Sequence, residues 1–293
     1  MDARVQKLEL LRKKRELIRK NKLDYYDPYP FQVRFHNDTS KRKGLRAGNQ
    51  IGKTISGTAQ DAMDLTGRYP DWYEGHRFER PVNLVCGSIN NDKTRDLLQK
   101  ALCGDPVDKF NTLGTGWIPA DCLQKDKISL KRGVTDAFIH VKVKWHDKDG
   151  NWDGKSWSNL SFSSYESGKE AWMGDTIDIY HLDEEPPMDI LGQAGRGCIA
   201  SGGFIRLTWT PENGRTEVVV KVENEWSMHT AEWADAAGET FDYEFNDGES
   251  VHFEEITTIG GKKGHITRSC LLYTSDAADD TQFVLVGGGG GGG

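Results

Sequence analysis

The sequence has no apolar run long enough to cross a membrane, and its first residues are charged rather than forming a signal-peptide core. Both absences lead us to expect a soluble, intracellular protein. Hydrophobic residues make up only 36% of the 293 residues, which is still enough for a buried core in one large or two small domains. The net charge of −7 argues against a protein that coats nucleic acid, although it is compatible with a local basic patch.

Cysteines and histidines are few and scattered. The five cysteines form no CxxC pair, and no two histidines stand at the spacing of metal ligands. We therefore predict no zinc site and interpret the cysteines as reduced thiols.

The end of the chain does not resemble a sequence that evolved to fold. From Cys270 onward it reads CLLYTSDAADDTQFVLVGGGGGGG. Back-translation of CLLYTSDAADD resembles a transposon-end adapter used in short-read sequencing. A flexible glycine-rich linker is the alternative interpretation of this segment. We predict that residues 270–293 are a non-native tail and that the natural sequence departs after Ser269.

Residues 1–22 predict a basic N-terminal helix. Val5, Leu8, Leu11 and Ile18 recur at helical spacing, and lysines and arginines cover the other faces. Such a helix can contact DNA phosphates or an acidic partner. We favour the simpler interpretation that the apolar stripe packs on the core.

Strand and helix signals then alternate along the chain. The strand-like segments are VNLVCGS (82–88), AFIHVKVKWH (137–146), NLSFSSY (159–165), IDIYHLD (177–183) and GFIRLTW (203–209). The second and third of these bracket KDGNWDG and predict a hairpin. Helices are predicted from Lys53 to about Leu65 and from Asn91 to Gly104. Several strands are apolar on both faces, which predicts an α/β fold with a central, mostly parallel sheet flanked by helices.

A glycine-rich segment follows a short strand that ends in LRAG. The segment AGNQIGKT resembles a phosphate-binding loop, but alanine stands at the first glycine position. A methyl group there removes no backbone N–H, so the loop can still cradle phosphates if this alanine has a negative φ. A chance glycine turn before a helix is the alternative. The predicted nucleotide-binding residues of the loop are Ala47, Gly48, Asn49, Gln50, Ile51, Gly52, Lys53 and Thr54.

Consecutive carboxylates end another apolar strand, in IDIYHLDEEPP. At the carboxyl edge of the sheet, Asp183 would hold Mg²⁺ and Glu184 would polarise the attacking water. An acidic helix N-cap is the alternative. Glu185 is the weaker candidate, because successive strand residues point to opposite faces.

Two other segments carry polar residues that nucleotide chemistry could use. Thr208, Thr210 and Pro211 lie at the end of the strand GFIRLTW, where a hydroxyl could contact the γ-phosphate or its water and report hydrolysis. Gln32 follows an aromatic segment, and its amide could both donate to and accept from an adenine edge. An ordinary turn is the alternative interpretation of each segment.

The whole set of motifs, in this order, resembles the large terminase subunit of tailed phages, most closely the group that packages DNA by a headful mechanism. The motifs are PYPFQ, LRAGNQIGKT, DLTGRYPDW, YESGKEAWMGDTIDIYHLDEEPP and LTWTPENG. The resemblance covers roughly residues 24–222, and this family tolerates the alanine in the loop. It implies a P-loop NTPase fold of the additional-strand type over residues 23–225. Residues 226–269 would be a connector or the start of a nuclease domain that this sequence does not complete.

The resemblance also implies catalytic roles. Lys53 and Glu184 would act in ATP hydrolysis, while Thr54 and Asp183 would bind the metal. Arg46 matches an arginine that senses the γ-phosphate in this family, with a sheet-edge salt bridge as its alternative.

Further roles concern the base, coupling and oligomer contacts. By the same resemblance, Gln32 would read adenine, and Thr208, Thr210 and Pro211 would couple hydrolysis to movement. Arg196 is a candidate arginine finger that acts in trans.

The implied activity is that of an ATPase motor, with ATP and Mg²⁺ as cofactors, that moves viral double-stranded DNA into a procapsid. The implied partners are double-stranded DNA, the portal protein, the small terminase subunit and further copies of the chain in a ring. No membrane association is expected, and the protein would act in the host cell cytoplasm, transiently at the portal. Two alternatives stay open: a helicase-like ATPase of replication or repair, and a nucleotide-gated scaffold without turnover.

Overall fold

The computed structural model describes residues 3–108, 111–130, 137–173, 176–212, 214–244 and 248–275. Its centre is a sheet of eight strands. In chain order the strands are β1 (Arg42–Ala47), β2 (Asn83–Ser88), β3 (Leu123–Leu130), β4 (Phe138–Lys144), β5 (Trp157–Ser164), β6 (Ile179–Asp183), β7 (Phe204–Trp209) and β8 (Ser227–Ala231). Across the sheet their order is β3-β4-β5-β2-β6-β7-β1-β8.

Most neighbouring strands are parallel, and only the β3–β4 and β4–β5 pairs of this sheet are antiparallel. The predicted α/β class, the mostly parallel sheet and the hairpin of β4 with β5 are therefore confirmed. Strand β7 lies between β1 and β6. This inserted strand is the feature that distinguishes the additional-strand type of P-loop fold.

Helices and a small second sheet complete the structure. The helices are α1 (Ala3–Lys20), α2 (Pro30–Asn37), α3 (Lys53–Thr66), α4 (Asn91–Lys93), α5 (Lys100–Cys103), α6 (Met188–Ser201), α7 (Glu217–Glu225) and α8 (Arg268–Ser275). A π-helical segment joins α4 to α5, so the helix predicted over residues 91–104 is present with an irregular centre. The second sheet pairs β9 (Phe241–Glu244) with β10 (Ser250–Phe253).

The hydrophobic core lies on both faces of the large sheet. Leu84 and Ile179 point into a cluster that includes Met63 of α3. Their chain neighbours Val85 and Tyr180 point the other way, into a cluster built with α6 and α7. Because side chains alternate along a strand, runs that are apolar at every position are buried on both faces.

Strands β3 and β8 were not predicted from the sequence. Strand β3 is an edge strand whose side chains are mostly exposed, so its sequence LQKDKISL shows no apolar alternation. Strand β8 pairs in parallel with β1, with Ala231 opposite Ala47. The sheet therefore continues past residue 225, where we placed the end of the ATPase domain.

Helix α1 does not pack its apolar stripe on the core. Val5, Leu8 and Leu11 are 44%, 53% and 45% exposed, so our favoured interpretation of this helix is wrong. The chain joins the core only at Leu23, which is 2% exposed. The stripe is thus available to a partner.

Near the other end of the chain, the segment before α8 packs against residues 27–29, which precede α2. The hydroxyl of Thr258 donates to Asp27, and Tyr29 shares a hydrogen bond with His265. Leu271 of α8 is 2% exposed. Of the tail predicted over residues 270–293, residues 270–275 belong to α8 and residues 276–293 lie outside the described residues, so its non-native origin stays a prediction. Among the described helices, none combines the length and the apolar character needed to span a membrane.

Candidate active site

The glycine-rich segment connects β1 to α3 at the carboxyl end of the parallel strands. Ala47 is the last residue of β1 and is not among the described non-glycine residues with a positive φ. The condition that we set for an alanine at this position is therefore met. The left-handed conformations fall later in the loop, at Gln50 with φ 64° and at Gly52 with φ 105°. Gly52 is the residue before α3, and the free N–H groups at the start of a helix favour an anion.

Lys53 begins α3 and is almost buried, with 8% of its surface exposed. Its Nζ donates to Glu184 Oε1 at 2.6 Å and also to the hydroxyl of Thr210. The Thr210 hydroxyl in turn donates to Asn49 Oδ1 at 3.3 Å. The phosphate loop, the acidic strand end and the end of β7 thus meet at a single ammonium group.

Glu184 is held in a strained position. Its φ of 63° is unusual for a residue with a side chain and costs on the order of 1 kcal/mol or more. Backbone and side-chain contacts fix it, because Glu184 N donates to Thr208 O at 2.7 Å and Glu184 Oε2 accepts from Thr210 N at 3.2 Å. The Tyr165 hydroxyl donates to the carbonyls of Asp183 and Glu184, and burial raises the pKa of this tyrosine well above its usual value.

Asp183 ends β6 and is fully buried. Its Oδ1 accepts from the Thr208 hydroxyl at 2.8 Å, whereas Oδ2 is buried and has no hydrogen-bond partner among the described residues. Burial raises the pKa of this carboxyl above its usual value. A divalent cation would satisfy such an orphaned oxygen and offset the cost of its burial, so the residue fits a role as a Mg²⁺ ligand.

A network of buried hydrogen bonds leads from the interior of the protein to Asp183. His181 Nε2 lies 3.1 Å from the hydroxyl of Thr208, and His181 Nδ1 lies 2.5 Å from Asp61 Oδ2. Arg206 donates to Asp61 at 2.9 Å and also to Asp64. The network joins β6, β7 and the interior face of α3.

The hydrogen bond from Thr208 to Asp183 determines which groups donate in this buried network. Because the Thr208 hydroxyl donates to Asp183, it can only accept from His181, which places a proton on Nε2. His181 Nδ1 faces a carboxylate that already accepts from Arg206. Removing one member would leave other buried polar groups unsatisfied, which is costly in a region of low dielectric.

Gln32 lies against the loop, but its amide is engaged within the protein, so its predicted contact with adenine stays a prediction. Its Nε2 donates to Ser56 Oγ at 3.0 Å and to Gly52 O at 3.3 Å, and its Oε1 accepts from Tyr29 N at 2.9 Å. Gln32 thereby caps α2 and ties it to the start of α3. Recognition of adenine would require one of these bonds to be exchanged.

Arg46 points to α7 rather than to the loop. Its guanidinium donates to Glu223 at 2.7 Å, and Arg215 pairs with the other oxygen of the same carboxylate at 3.2 Å. This salt bridge is the alternative that we left open for Arg46. A role in sensing the γ-phosphate would require the pair to open and stays a prediction.

The remaining predicted residues lie around the same edge or outside it. Glu185 accepts from Thr216 at 2.5 Å, so it faces α7 rather than Lys53. Pro211 follows directly after Thr210. Arg196 is an exposed residue of α6 that donates to Gln193, and a role in trans stays a prediction.

The residues that support the acidic strand end were not predicted from the sequence. Tyr165, Asp61, His181 and Arg206 were not proposed. Three of them left a signal: His181 and Arg206 interrupt apolar strands, and Asp61 lies in a helix that is buried along most of its length. A charged or polar residue within a buried element requires a partner, but the sequence does not say which one.

Two groups of side chains have the spacing of metal ligands, although we predicted no zinc site. One comprises Asp61, Cys86 and His181, and the other comprises Asp121, Cys122 and His146. An arginine already occupies each group: Arg206 pairs with Asp61, and Arg68 donates to Asp121 and His146. A cation in these positions competes with a metal ion, so we assign neither group a metal.

The fold and the site together place the chain among P-loop NTPases of the additional-strand type, because β7 separates the strand of the phosphate loop from the strand that ends in Asp183. The comparison with protein families is more specific. Residues 45–265 match the family described as terminase large subunit, T4likevirus-type, N-terminal. The chain belongs to this family.

A curated relative and two solved structures are also similar. The large terminase subunit of Salmonella phage P22 is 34% identical over 238 residues, which are 75% of this chain and 46% of that protein. The chain thus spans about half the length of this relative. The ATPase domain of the Thermus phage P74-26 large terminase has a TM-score of 0.47 and 17% identity, covering 72% of this chain and 82% of that domain. The large terminase of another thermophilic bacteriophage, in complex with ADP, has a TM-score of 0.44 and 10% identity, covering 70% of this chain and 45% of that one.

Proposed function

We propose that this chain is the ATP-hydrolysing part of a motor that moves viral double-stranded DNA into a procapsid. The observation that carries the proposal is the contact of Lys53 with Glu184 at 2.6 Å, beside the orphaned carboxylate oxygen of Asp183. Membership in the terminase family supports packaging over the helicase-like alternative. A triphosphate on the loop gives each of these groups a function.

Phosphates would bind at the start of α3. Backbone N–H groups of the loop and the ammonium of Lys53 offer positive charge there. Lys53 would exchange Glu184 for a phosphate oxygen and thereby release the carboxylate. Asp183 Oδ2 and the Thr54 hydroxyl would hold Mg²⁺, which supplies charge neutralisation on the phosphates.

The released Glu184 would orient the attacking water. Its strained backbone keeps the carboxylate at the tip of β6, and the N–H of Thr210 continues to direct one of its oxygens. Thr210 also contacts Lys53. Loss of a phosphate from Lys53 would therefore change the contacts of Thr210 at the end of β7. We therefore assign the coupling role to Thr208, Thr210 and Pro211.

The partners are proposed from the family. They are double-stranded DNA, the portal protein, the small terminase subunit and further copies of this chain in a ring. The motor would work in the host cytoplasm at the procapsid portal. In this setting Arg46 would sense the γ-phosphate after leaving Glu223, Gln32 would read adenine, and Arg196 would reach a neighbouring subunit.

ATP turnover of two matched variants tests the proposal. We expect Glu184→Gln to lower turnover by about 10²- to 10⁴-fold, because an amide cannot accept the proton from water. Glu185→Gln is the control. The oxygen of the new side-chain amide can still accept the hydrogen bond from the Thr216 hydroxyl, so turnover should stay near that of the unchanged protein. Lys53→Ala should abolish nucleotide binding itself.

Three outcomes would contradict the proposal. Equal turnover by both glutamine variants would remove Glu184 from the chemistry. Nucleotide binding without turnover, even with procapsids present, would favour the nucleotide-gated scaffold. ATP-dependent unwinding of duplex DNA would favour the helicase-like alternative.

A further inference from the structure

Part of one face of the large sheet is exposed. Helix α6 packs against β6 and β7, but the same face of β3, β4 and β5 carries exposed side chains. Register shows which residues share this face, because Lys142 lies opposite Asn159, and Asn159 lies opposite Asn83. These residues line a groove of about 440 Å³. We call it the β3–β5 groove.

The lining of the β3–β5 groove is unusual for a chain with a net charge of −7. None of the described residues that line it is acidic. Its polar side chains are mostly hydrogen-bond donors or cations. They include Asn83, Lys127, Ser129, His140, Lys142 and Asn159.

The two lysines are available for an external anion. Among the described carboxylates, none lies within 4.0 Å of the Lys142 ammonium. Lys127 lies 3.6 Å from Asp126, but both side chains are substantially exposed, and such a pair contributes little. Around them, Asn159 donates to Asn83 at 2.7 Å and His140 lies 2.9 Å from Ser161, so the polar lining is ordered.

We propose that the β3–β5 groove binds the phosphate backbone of double-stranded DNA. Lysines with amide and hydroxyl groups and no carboxylate match a polyanion, and backbone contacts carry no sequence information, as a translocating motor requires. The inference rests on the proposed packaging function. The groove is distinct from the ATP site, because it lies on a face of the sheet and not at its carboxyl edge.

The test measures binding of the full chain to a short fluorescein-labelled duplex by anisotropy over a salt series. Each phosphate contact contributes about 0.9 to the slope of log affinity against log salt. We expect Lys127→Ala with Lys142→Ala to lower this slope by about 2 and to weaken binding at low salt by roughly tenfold or more. Replacing both lysines by arginine should preserve binding.

Two further double variants give the experiment its specificity. Lys221→Ala with Lys263→Ala makes the same change in net charge away from the groove and should leave the slope unchanged. Lys13→Ala with Lys14→Ala tests α1 as the competing basic surface. Basal ATP turnover of every variant should equal that of the unchanged protein, which also shows that the fold is intact.

The groove assignment is overturned if the groove variant binds DNA with unchanged affinity and slope, if only the α1 variant loses binding, or if the unchanged chain does not bind the duplex at low salt. Each result is separate from failure of the proposed function. That failure would appear as absent ATP turnover or as turnover that does not depend on Glu184.

Discussion

At the scale of single residues, His36 shows how burial fixes a protonation state. The ring is fully buried, with Nδ1 2.9 Å from Gln60 Oε1 and Nε2 3.0 Å from the Tyr26 hydroxyl. Nδ1 therefore donates and Nε2 accepts, which satisfies a neutral ring. Burial lowers the pKa of His36 to about 3, in agreement with this geometry.

This arrangement predicts a pH dependence of stability. The unfolded chain takes up a proton on His36 near pH 6.5, whereas the folded chain does so only near pH 3. The contribution of His36 is therefore complete above about pH 6.5, and it decreases by up to about 1.4 kcal/mol per pH unit as the pH falls toward 3. Urea unfolding at several pH values measures this slope.

The matched variant is His36→Gln, which keeps a polar side chain but cannot titrate. Its stability should depend less steeply on pH between about 6.5 and 4 than that of the unchanged protein, whatever its absolute stability. Identical slopes for the two proteins would show that His36 is not held neutral.

The sequence alone was enough to propose roles for residues that lie in a recognisable motif. Lys53, Asp183 and Glu184 were placed in one site because a phosphate loop and an acidic strand end belong at the same edge of a parallel sheet. His181 and Asp61 could not be paired in advance, because 120 residues separate them and only the packing of α3 on β6 brings them together.

At the scale of elements, α3 packs closely against β6 at Gly57. A Cβ on Gly57 would lie 2.5 Å from the ring of His181 and 3.2 Å from a methyl group of Thr208. The helix therefore needs a residue without a side chain at this position. This proximity allows Asp61, one turn further along α3, to reach His181.

Gly57→Ala should destabilise the protein by about 1–3 kcal/mol, because the new methyl group overpacks the core. It should also lower ATP turnover, since the ring it displaces supports Thr208 and Asp183. Gly195→Ala in α6 is the control: no heavy atom lies within 4 Å of its added Cβ, so alanine should be neutral or stabilising by up to about 1 kcal/mol. Equal unfolding free energies for the two variants would refute the account of the α3–β6 contact.

Elements with regular patterns were predictable, and those defined by tertiary pairing were not. The hairpin of β4 and β5 was evident from two strand-like runs around a glycine turn. Strand β8 has only five residues, of which Ala231 alone is buried, and it exists because β1 offers it an edge. The local sequence of β8 does not indicate that β1 has an unpaired edge to which it can add.

At the scale of the whole molecule, two exposed surfaces of the described residues are candidates for contact with partners. One is the β3–β5 groove, and the other is the apolar stripe of α1 with its basic flanks. The sequence predicted that α1 is a helix but not that its stripe is exposed. Intrinsic periodicity fixes which face is apolar, whereas the partner of that face is decided by packing.

In the proposed mechanism, Lys53 exchanges Glu184 for a phosphate when ATP binds. The most direct measurement is a crystal structure with a non-hydrolysable ATP analogue and Mg²⁺. We predict the Lys53 ammonium within hydrogen-bond distance of a phosphate oxygen, the metal on Asp183, and the Glu184 carboxylate facing the γ-phosphate. An analogue bound elsewhere, or bound at the loop while Lys53 still pairs with Glu184, would contradict the account.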